Sequence, residues 1–270
     1  MRLDKYLAEA SIGTRKVVRN YVKVGKVTVN NQVVLDPATE IDDFADVIEY
    51  QGVRIVHTGK LYYMFHKPSG CITARQDLTS KTVLDYFDIE LSKGLFPVGR
   101  LDKDTEGLLL LTNDGEFCHR LMHPEKHVEK TYFFWAYGSL EKEEKERLLT
   151  GVVIGEDEAL AKAMRIEVKE EGKFIEFQDR IRVISPKRIK INANQQQVVS
   201  GWITIDEGRK HQVKRMLKAV GCYVTYLKRV SIGNLVLDES LLPGQYRELA
   251  EEEIKVLFQR WNAYDGWNPL

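Results

Sequence analysis

The chain has 270 residues, 43% of them apolar and 30% charged, which allows one large domain or a large domain with a small one and is too apolar for a disordered chain. Lys and Arg total 40, and Asp and Glu also total 40. This balance excludes a uniformly basic nucleic-acid binder, but not a chain whose positive charge is gathered in patches.

Three cysteines, Cys71, Cys118 and Cys222, form no CxxC pair, so neither a disulfide framework nor a thiolate zinc site is indicated. Met1-Arg2-Leu3-Asp4-Lys5 is not followed by an apolar run, so no signal peptide is expected. The longest apolar run, residues 107–111, is far too short to cross a bilayer. A soluble cytoplasmic protein with no membrane partner is the expectation.

Leu3, Tyr6, Leu7 and Ala10 fall on one face of a short predicted helix. Thr14 is a candidate N-cap for a second helix, with Val17, Val18, Tyr21 and Val22 on its apolar side. Arg15, Lys16, Arg19 and Lys23 gather on the other side, because steps of four residues advance only about 40° around a helix. Val27-Thr28-Val29, Asn30-Asn31 and Val33-Val34 read as a hairpin with a tight Asn turn. Residues 1–26 carry seven basic residues against two acidic ones, a net of +5, whereas residues 27–60 carry two against six, a net of −4. Four cations on one helix side with no acid among them suit phosphate contact, although a charged helix face is often only a solvated one.

His57-Thr58-Gly59-Lys60 reads as a linker, dividing the chain into units of residues 1–58 and 59–270. Strands are predicted at 61–66, 95–98, 108–112, 131–137, 174–177, 181–184, 198–205 and 223–227, and helices at 115–122, 141–149 and 211–220. Strands outnumber helices without a regular βαβ alternation. The fold class expected is α+β, on a mixed, mainly antiparallel sheet.

Gly99-Arg100-Leu101-Asp102-Lys103-Asp104-Thr105-Glu106-Gly107 precedes four leucines and Thr112. A polar loop feeding a buried strand holds its carboxylates partly desolvated yet within reach of a ligand. Asp102, Asp104 and Glu106 compete for a reactive role, against the alternative of a solvated loop. Arg209, Lys210, Lys214, Arg215, Lys218, Lys228 and Arg229 lie in a stretch with no acid, a net of +7. His211, Lys214 and Arg215 share a face of one predicted helix. Such a cluster attracts a polyanion and can hold a buried Asp ionised.

Other chemistries fit less well. His119, His123 and His127 recur at spacing four, but Pro124 interrupts the helix they would need, so no metal site is expected. There is no GxSxG elbow, GxGxxG or GxxxxGK[ST].

Together the segments resemble bacterial ribosomal RNA pseudouridine synthases of the RsuA-type branch. Residues 2–35 resemble the alpha-L RNA-binding domain. Gly99-Arg100-Leu101-Asp102 with the leucine strand resembles the catalytic motif, and Lys130-Thr131-Tyr132 the second motif. The stretch from Glu207 to Met216 resembles the third, and Pro243 to Leu249 the C-terminal strand. The resemblance covers nearly the whole chain in the correct order. It implies an alpha-L-type RNA-binding domain (1–58) before a pseudouridine synthase domain (59–270).

The resemblance also implies roles. Asp102 is the essential carboxylate, Tyr132 the aromatic that packs on a flipped-out uracil, and Lys214 the cation that pairs with Asp102. Arg100 enters the RNA helix as the uridine leaves, and Val213 lies under the base. Arg209, His211 and Arg215, with Arg15, Lys16, Arg19 and Lys23, bind RNA. No cofactor or metal is implied, since the N1–C1′ bond is broken, the uracil turned and the bond remade through C5. Base extrusion costs a few kcal/mol, which a basic surface and an aromatic platform offset.

The expected partner is ribosomal RNA or a partly assembled subunit, and a monomer is expected. The contexts Lys210–Met216 and Val128–Tyr132 look most like small-subunit (16S) enzymes. A large-subunit enzyme and a non-catalytic ribosome-assembly factor are the alternatives. Asn30-Asn31 departs from the usual Asn-Gly, and residues 171–200 look longer than the branch requires, reading as an extended hairpin or insertion with a basic tip.

Overall fold

In the computed structural model, residues 1–257 are described apart from 11, 43–44, 56–58, 93, 157–158 and 182–194. The N-terminal unit follows its sequence pattern closely. Helices α1 (Leu3–Glu9) and α2 (Arg15–Lys23) pack their apolar sides together, and the Thr14 side chain caps α2 by accepting from the Val17 amide. Strands β1 (Val27–Val29) and β2 (Gln32–Val33) are joined through Asn30 and Asn31 at φ 51° and 64°. Asn tolerates this left-handed region better than other side chains, so the tight hairpin turn forms without glycine. Two further strands, β3 (Ile48–Tyr50) and β4 (Val53–Arg54), complete a sheet of order β2-β1-β3-β4. Leu3, Leu7, Val18, Val22, Val27 and Ile48 form a hydrophobic cluster of their own.

The larger unit begins with β5 (Tyr62–Lys67), a 3-10 turn at Val83–Tyr86, α3 (Ile89–Ser92) and β6 (Phe96–Val98). It continues through β7 (Glu106–Thr112), α4 (Gly115–Met122), β8 (Lys130–Tyr137), α5 (Lys142–Thr150) and β9 (Arg165–Lys173). Last come α6 (Phe174–Phe177), β10 (Gln197–Ile205), α7 (Gln212–Ala219), β11 (Tyr223–Ile232), β12 (Leu235–Val236), β13 (Tyr246–Glu248) and α8 (Glu251–Val256). The strand order is β13-β5-β7-β11-β8-β10-β9, with β6 beside β7 and β12 beside β11. Among the described strands of this sheet, only β7 and β11 pair in parallel, so the class is α+β on a mixed, mainly antiparallel sheet.

The four-leucine run explains how this sheet is buried. Strand side chains alternate between faces, so Leu109 and Leu111 join Phe134, Ile203, Met216 and Leu217 on one side. Leu108 and Leu110 join Met64, Phe117 and Leu121 on the other. Every residue of β7 is buried, as expected of a central strand covered on both faces. Gly107 is required where β7 meets β11: a Cβ there would lie 2.2 Å from the Arg229 carbonyl oxygen, at φ +105°.

Two strand expectations need comment. Residues 174–177 form helix α6, not a strand; β9 ends at Lys173, opposite Gln197 of β10, and the chain must turn between them. The expected strand at 181–184 and the basic tip at 185–190 fall largely outside the described residues. Strands β9 and β10 pair antiparallel, and residues 182–194 of the stretch between them lie outside the described residues.

Candidate active site

The loop between β6 and β7 is held from beneath by a lysine. Lys67, the last residue of β5, is fully buried, and its Nζ donates to the carbonyls of Pro68 (3.1 Å), Asp102 (3.0 Å), Lys103 (3.3 Å) and Thr105 (2.9 Å). Burial pushes the Lys67 pKa down, partly opposed by nearby Cys71, Asp104, Asp102 and Glu106. On the other flank the Thr73 hydroxyl donates to the Leu101 carbonyl (2.8 Å) and accepts from the Leu101 amide (3.1 Å). The backbone on either side of Asp102 is therefore fixed by bonds that leave its carboxylate free to face outward.

That carboxylate faces the N-terminal end of α7. Lys214 Nζ lies 3.2 Å from Asp102 Oδ2, and His211 Nε2 lies 3.6 Å from Oδ1. His211 has φ +53°, in the left-handed region that Asn, Asp and His adopt more readily than other side chains. The turn before α7 is braced by Gln212, whose amide donates to Glu207 Oε1 (2.6 Å) and whose carbonyl accepts from the Arg209 amide (2.9 Å). Asp102, Arg100, Tyr132, Val213 and Lys214 line one cavity of about 60 Å³. Tyr132 and Val213 are buried in its wall, whereas Asp102 and Lys214 are each about a quarter exposed.

The three competing acids separate by position. Glu106 is buried on β7 and accepts from the Tyr226 hydroxyl (2.9 Å). Asp104 also contacts Lys214, but its side chain is half exposed and lines a neighbouring groove with Lys218 and Tyr223. Burial pushes the Asp104 pKa up, yet the Lys214 hydrogen bond and charge outweigh this and leave it below the usual carboxylate range. Asp102 alone of the three shares a cavity with Tyr132 and Val213.

The remaining candidate residues divide into two groups. Arg209 and Arg215 point back into the protein: Arg209 bonds Glu207 Oε2 (2.9 Å) and the Ala159 carbonyl, and Arg215 Nε bonds the Ile154 carbonyl (2.7 Å). They tie α7 to the segment after α5. Arg15, Lys16, Arg19 and Lys23 instead line an open concavity of about 670 Å³ on the N-terminal unit. His119, His123 and His127 do not converge. The first two rings are 5.0 Å apart, but His127 Nδ1 bonds Asp206 (2.8 Å). Among the described residues, no group of three or more His, Cys, Asp or Glu side chains is placed to hold a metal ion.

Residues 61–219 match the model of the RNA pseudouridylate synthase family. The chain belongs to this family. It is thus a pseudouridine synthase, an isomerase, and residues 1–48 match the S4 domain model.

An uncharacterized RNA pseudouridine synthase of Bacillus subtilis strain 168, YtzG, is 39% identical over 95% of this chain and 98% of its own. Ribosomal small subunit pseudouridine synthase A of Escherichia coli K12 is 34% identical over 94% of this chain and 98% of its own. Ribosomal large subunit pseudouridine synthase B of Bacillus subtilis strain 168 is also 34% identical, over 95% of each chain. A pseudouridylate synthase crystal structure at 32% identity covers 95% of this chain and 99% of its own with a TM-score of 0.60. No described helix of this synthase is long and apolar enough to cross a membrane.

The residue that sequence reasoning missed is Lys67. Lys67-Pro68-Ser69-Gly70 reads as turn chemistry ending a strand, and nothing in that string shows the lysine turning inward. One signal was available: period-2 alternation along β5 puts Phe65 and Lys67 on the same face, and Phe65 is apolar.

Proposed function

We propose that this synthase converts a specific uridine of small-subunit (16S) ribosomal RNA to pseudouridine, acting in the cytoplasm as a monomer. Residues 1–58 capture RNA and residues 59–270 carry out the chemistry. The observation that carries the reading is the Asp102–Lys214 contact of 3.2 Å at a cavity walled by Tyr132 and Val213. A carboxylate in that position can meet a bound nucleoside as nucleophile or base, with the Lys214 ammonium in contact beside it.

In this reading the target uridine leaves its helix and Arg100, exposed on the loop rim, takes its place in the stack. The uracil lies between Tyr132 and Val213. Asp102 acts on the nucleoside while the N1–C1′ bond breaks; the ring turns, C5 bonds C1′, C5 loses its proton and N1 gains one. No atom is added or removed overall, so the chain's own carboxylate and cation suffice for the proton bookkeeping. His211 and Lys218, which line the groove beside the cavity, steer the phosphates.

A large-subunit target is the second reading, favoured by the relative from Bacillus subtilis named for that subunit. Mapping pseudouridines in ribosomal RNA from cells with and without this protein tests both. Loss of one 16S position is expected. Loss of a large-subunit position selects the second reading, and an unchanged ribosomal RNA map overturns both.

A further inference from the structure

The N-terminal concavity has a carboxylate at its base. Asp4, in the first turn of α1, is 1% exposed. Its two oxygens accept from Arg2 Nε (3.1 Å) and Nη2 (3.0 Å) in a bidentate fork. Arg15 Nη2 approaches Oδ1 at 3.6 Å, and Arg19 Nε approaches Oδ2 at 3.6 Å. The three guanidinium groups belong to side chains 40%, 60% and 56% exposed, above a carboxylate whose own side chain is 2% exposed. Asp4 is thus shielded from solvent while its carboxylate lies beside all three exposed arginines. Burial raises its pKa, but the Arg2 bond and the charges of Arg15, Arg2 and Arg19 lower it further, so the carboxylate is ionised.

On a surface meant to hold a polyanion, a buried negative charge is a cost. It cancels one of the three positive charges beside it and weakens attraction to phosphate. What it supplies in return is geometry. Arg side chains lose rotamer freedom when they bind, and a side chain already held in place loses less. Because Asp4 touches each guanidinium from below, the outward N–H groups of Arg15 and Arg19 remain directed at the concavity that Lys16 and Lys23 also line. We infer that Asp4 is a positioning residue that pre-orders Arg15 and Arg19 as a phosphate clamp for the RNA backbone. This rests on the reading that residues 1–58 capture RNA.

The two effects of Asp4 have opposite signs, which makes the inference testable with the full-length chain and a labelled RNA hairpin of arbitrary sequence. Removing a negative charge should tighten binding if charge alone matters. The clamp predicts instead that Asp4→Asn weakens binding about fivefold or more, and that the dependence of log affinity on log salt becomes shallower by about one to two as contacts are lost. Unchanged or tighter binding overturns the inference.

Because Asp4 is buried, weaker binding could also follow from damage to the unit. The same change is therefore made in an Arg15→Gln/Arg19→Gln background. If Asp4 acts through those arginines, Asp4→Asn produces no further loss there; an equal loss in both backgrounds assigns Asp4 to folding alone and overturns the clamp. If Arg15→Gln/Arg19→Gln binds like wild type, the clamp fails together with RNA capture by this unit. The pseudouridine map of wild-type cells still reports on the isomerase reading by itself.

Discussion

Two carboxylates in this molecule sit among cations, and their burial is inverted. Asp4 lies beneath Arg2, Arg15 and Arg19, so that the cations face solvent and the acid does not. Asp102 lies at a cavity mouth with Lys214 and His211 to one side, and the acid itself is open to a ligand. The same ingredients thus yield two instruments. Where the carboxylate is hidden, it arranges cations for a phosphate backbone; where it is presented, with a cation at 3.2 Å, it is itself the group a ligand meets. Which partner meets solvent decides the role, and the loop that presents Asp102 is fixed by Lys67 from below.

The largest effects should come from breaking the presented pair. Asp102→Asn is expected to abolish isomerisation, a loss of about 10⁴-fold or more if the group is nucleophile or base. RNA affinity should change by less than about tenfold. Lys214→Met should lower turnover far more than binding, because one cation among several contributes little to phosphate affinity. Single-turnover pseudouridine formation and filter binding on the same RNA separate the two quantities. Equal losses in rate and affinity for Lys214→Met would erase the distinction between a cation that serves the carboxylate and one that serves the RNA.

A second test concerns how Asp102 is held. Lys67→Met removes a donor shared by four carbonyls of the loop around Asp102; those of Pro68, Asp102 and Lys103 keep bonds from Cys71 Sγ, the Thr105 amide and the Gly70 amide, so the Thr105 carbonyl is the one most affected. Unpaired buried acceptors cost about 1–3 kcal/mol each, offset in part because a buried cation is itself costly. A net loss of about 1–3 kcal/mol in unfolding free energy is expected, with turnover reduced and RNA affinity nearly retained. The protonated lysine is disfavoured by burial, so its folded pKa lies below the unfolded one. In wild type that contribution to stability is fully present only above the unfolded pKa and is lost as pH falls through the folded value. Lys67→Met should lack that dependence, so the stability difference between the two proteins should change across alkaline pH. Parallel pH curves would contradict the assignment.

The same contrast explains what could be read from the residues. The Asp102 loop, α7 and Tyr132, which the structure brings to one cavity, each lie in a contiguous, strongly patterned segment that motif order picks out. The Asn30-Asn31 turn was equally legible, since few residue pairs accept that backbone. Strand β9 was missed: its inward positions are Ile166, Val168, Glu170 and Gly172, so the apolar half of the period spans only two residues of a charged edge strand and is too short to stand out. Strands β3 and β4 are too short, and their turn uses Gln51 at φ +51°, where sequence rules look for Asn or Asp. Phe174 to Phe177 read as strand from its aromatics, yet the chain folds there into a helical turn that places Phe177 against Trp135. Asp4 and Lys67 escaped for a common reason: a charged residue is expected outside, and only tertiary contacts reveal that it points inward.

Arg215 gives the smallest effect. Sequence places it with Lys214 and His211 on one helix face, as an RNA contact. In the fold its guanidinium is spent on the Ile154 carbonyl, with a further bond to the Lys210 carbonyl (3.1 Å). An arginine whose donors face protein carbonyls offers less to a phosphate than one whose donors face solvent, as Arg15 and Arg19 do. Arg215→Met should therefore cost stability of about 1–2 kcal/mol through the lost bonds, read by denaturant unfolding. The salt dependence of RNA binding should stay as in wild type, because no phosphate contact is removed. A slope shallower by about one would show that Arg215 lets go of Ile154 and turns to the RNA. In that case the inward-facing arginines of α7 would belong with those above Asp4, and the division between cations that brace the fold and cations that meet the ligand would have to be drawn elsewhere.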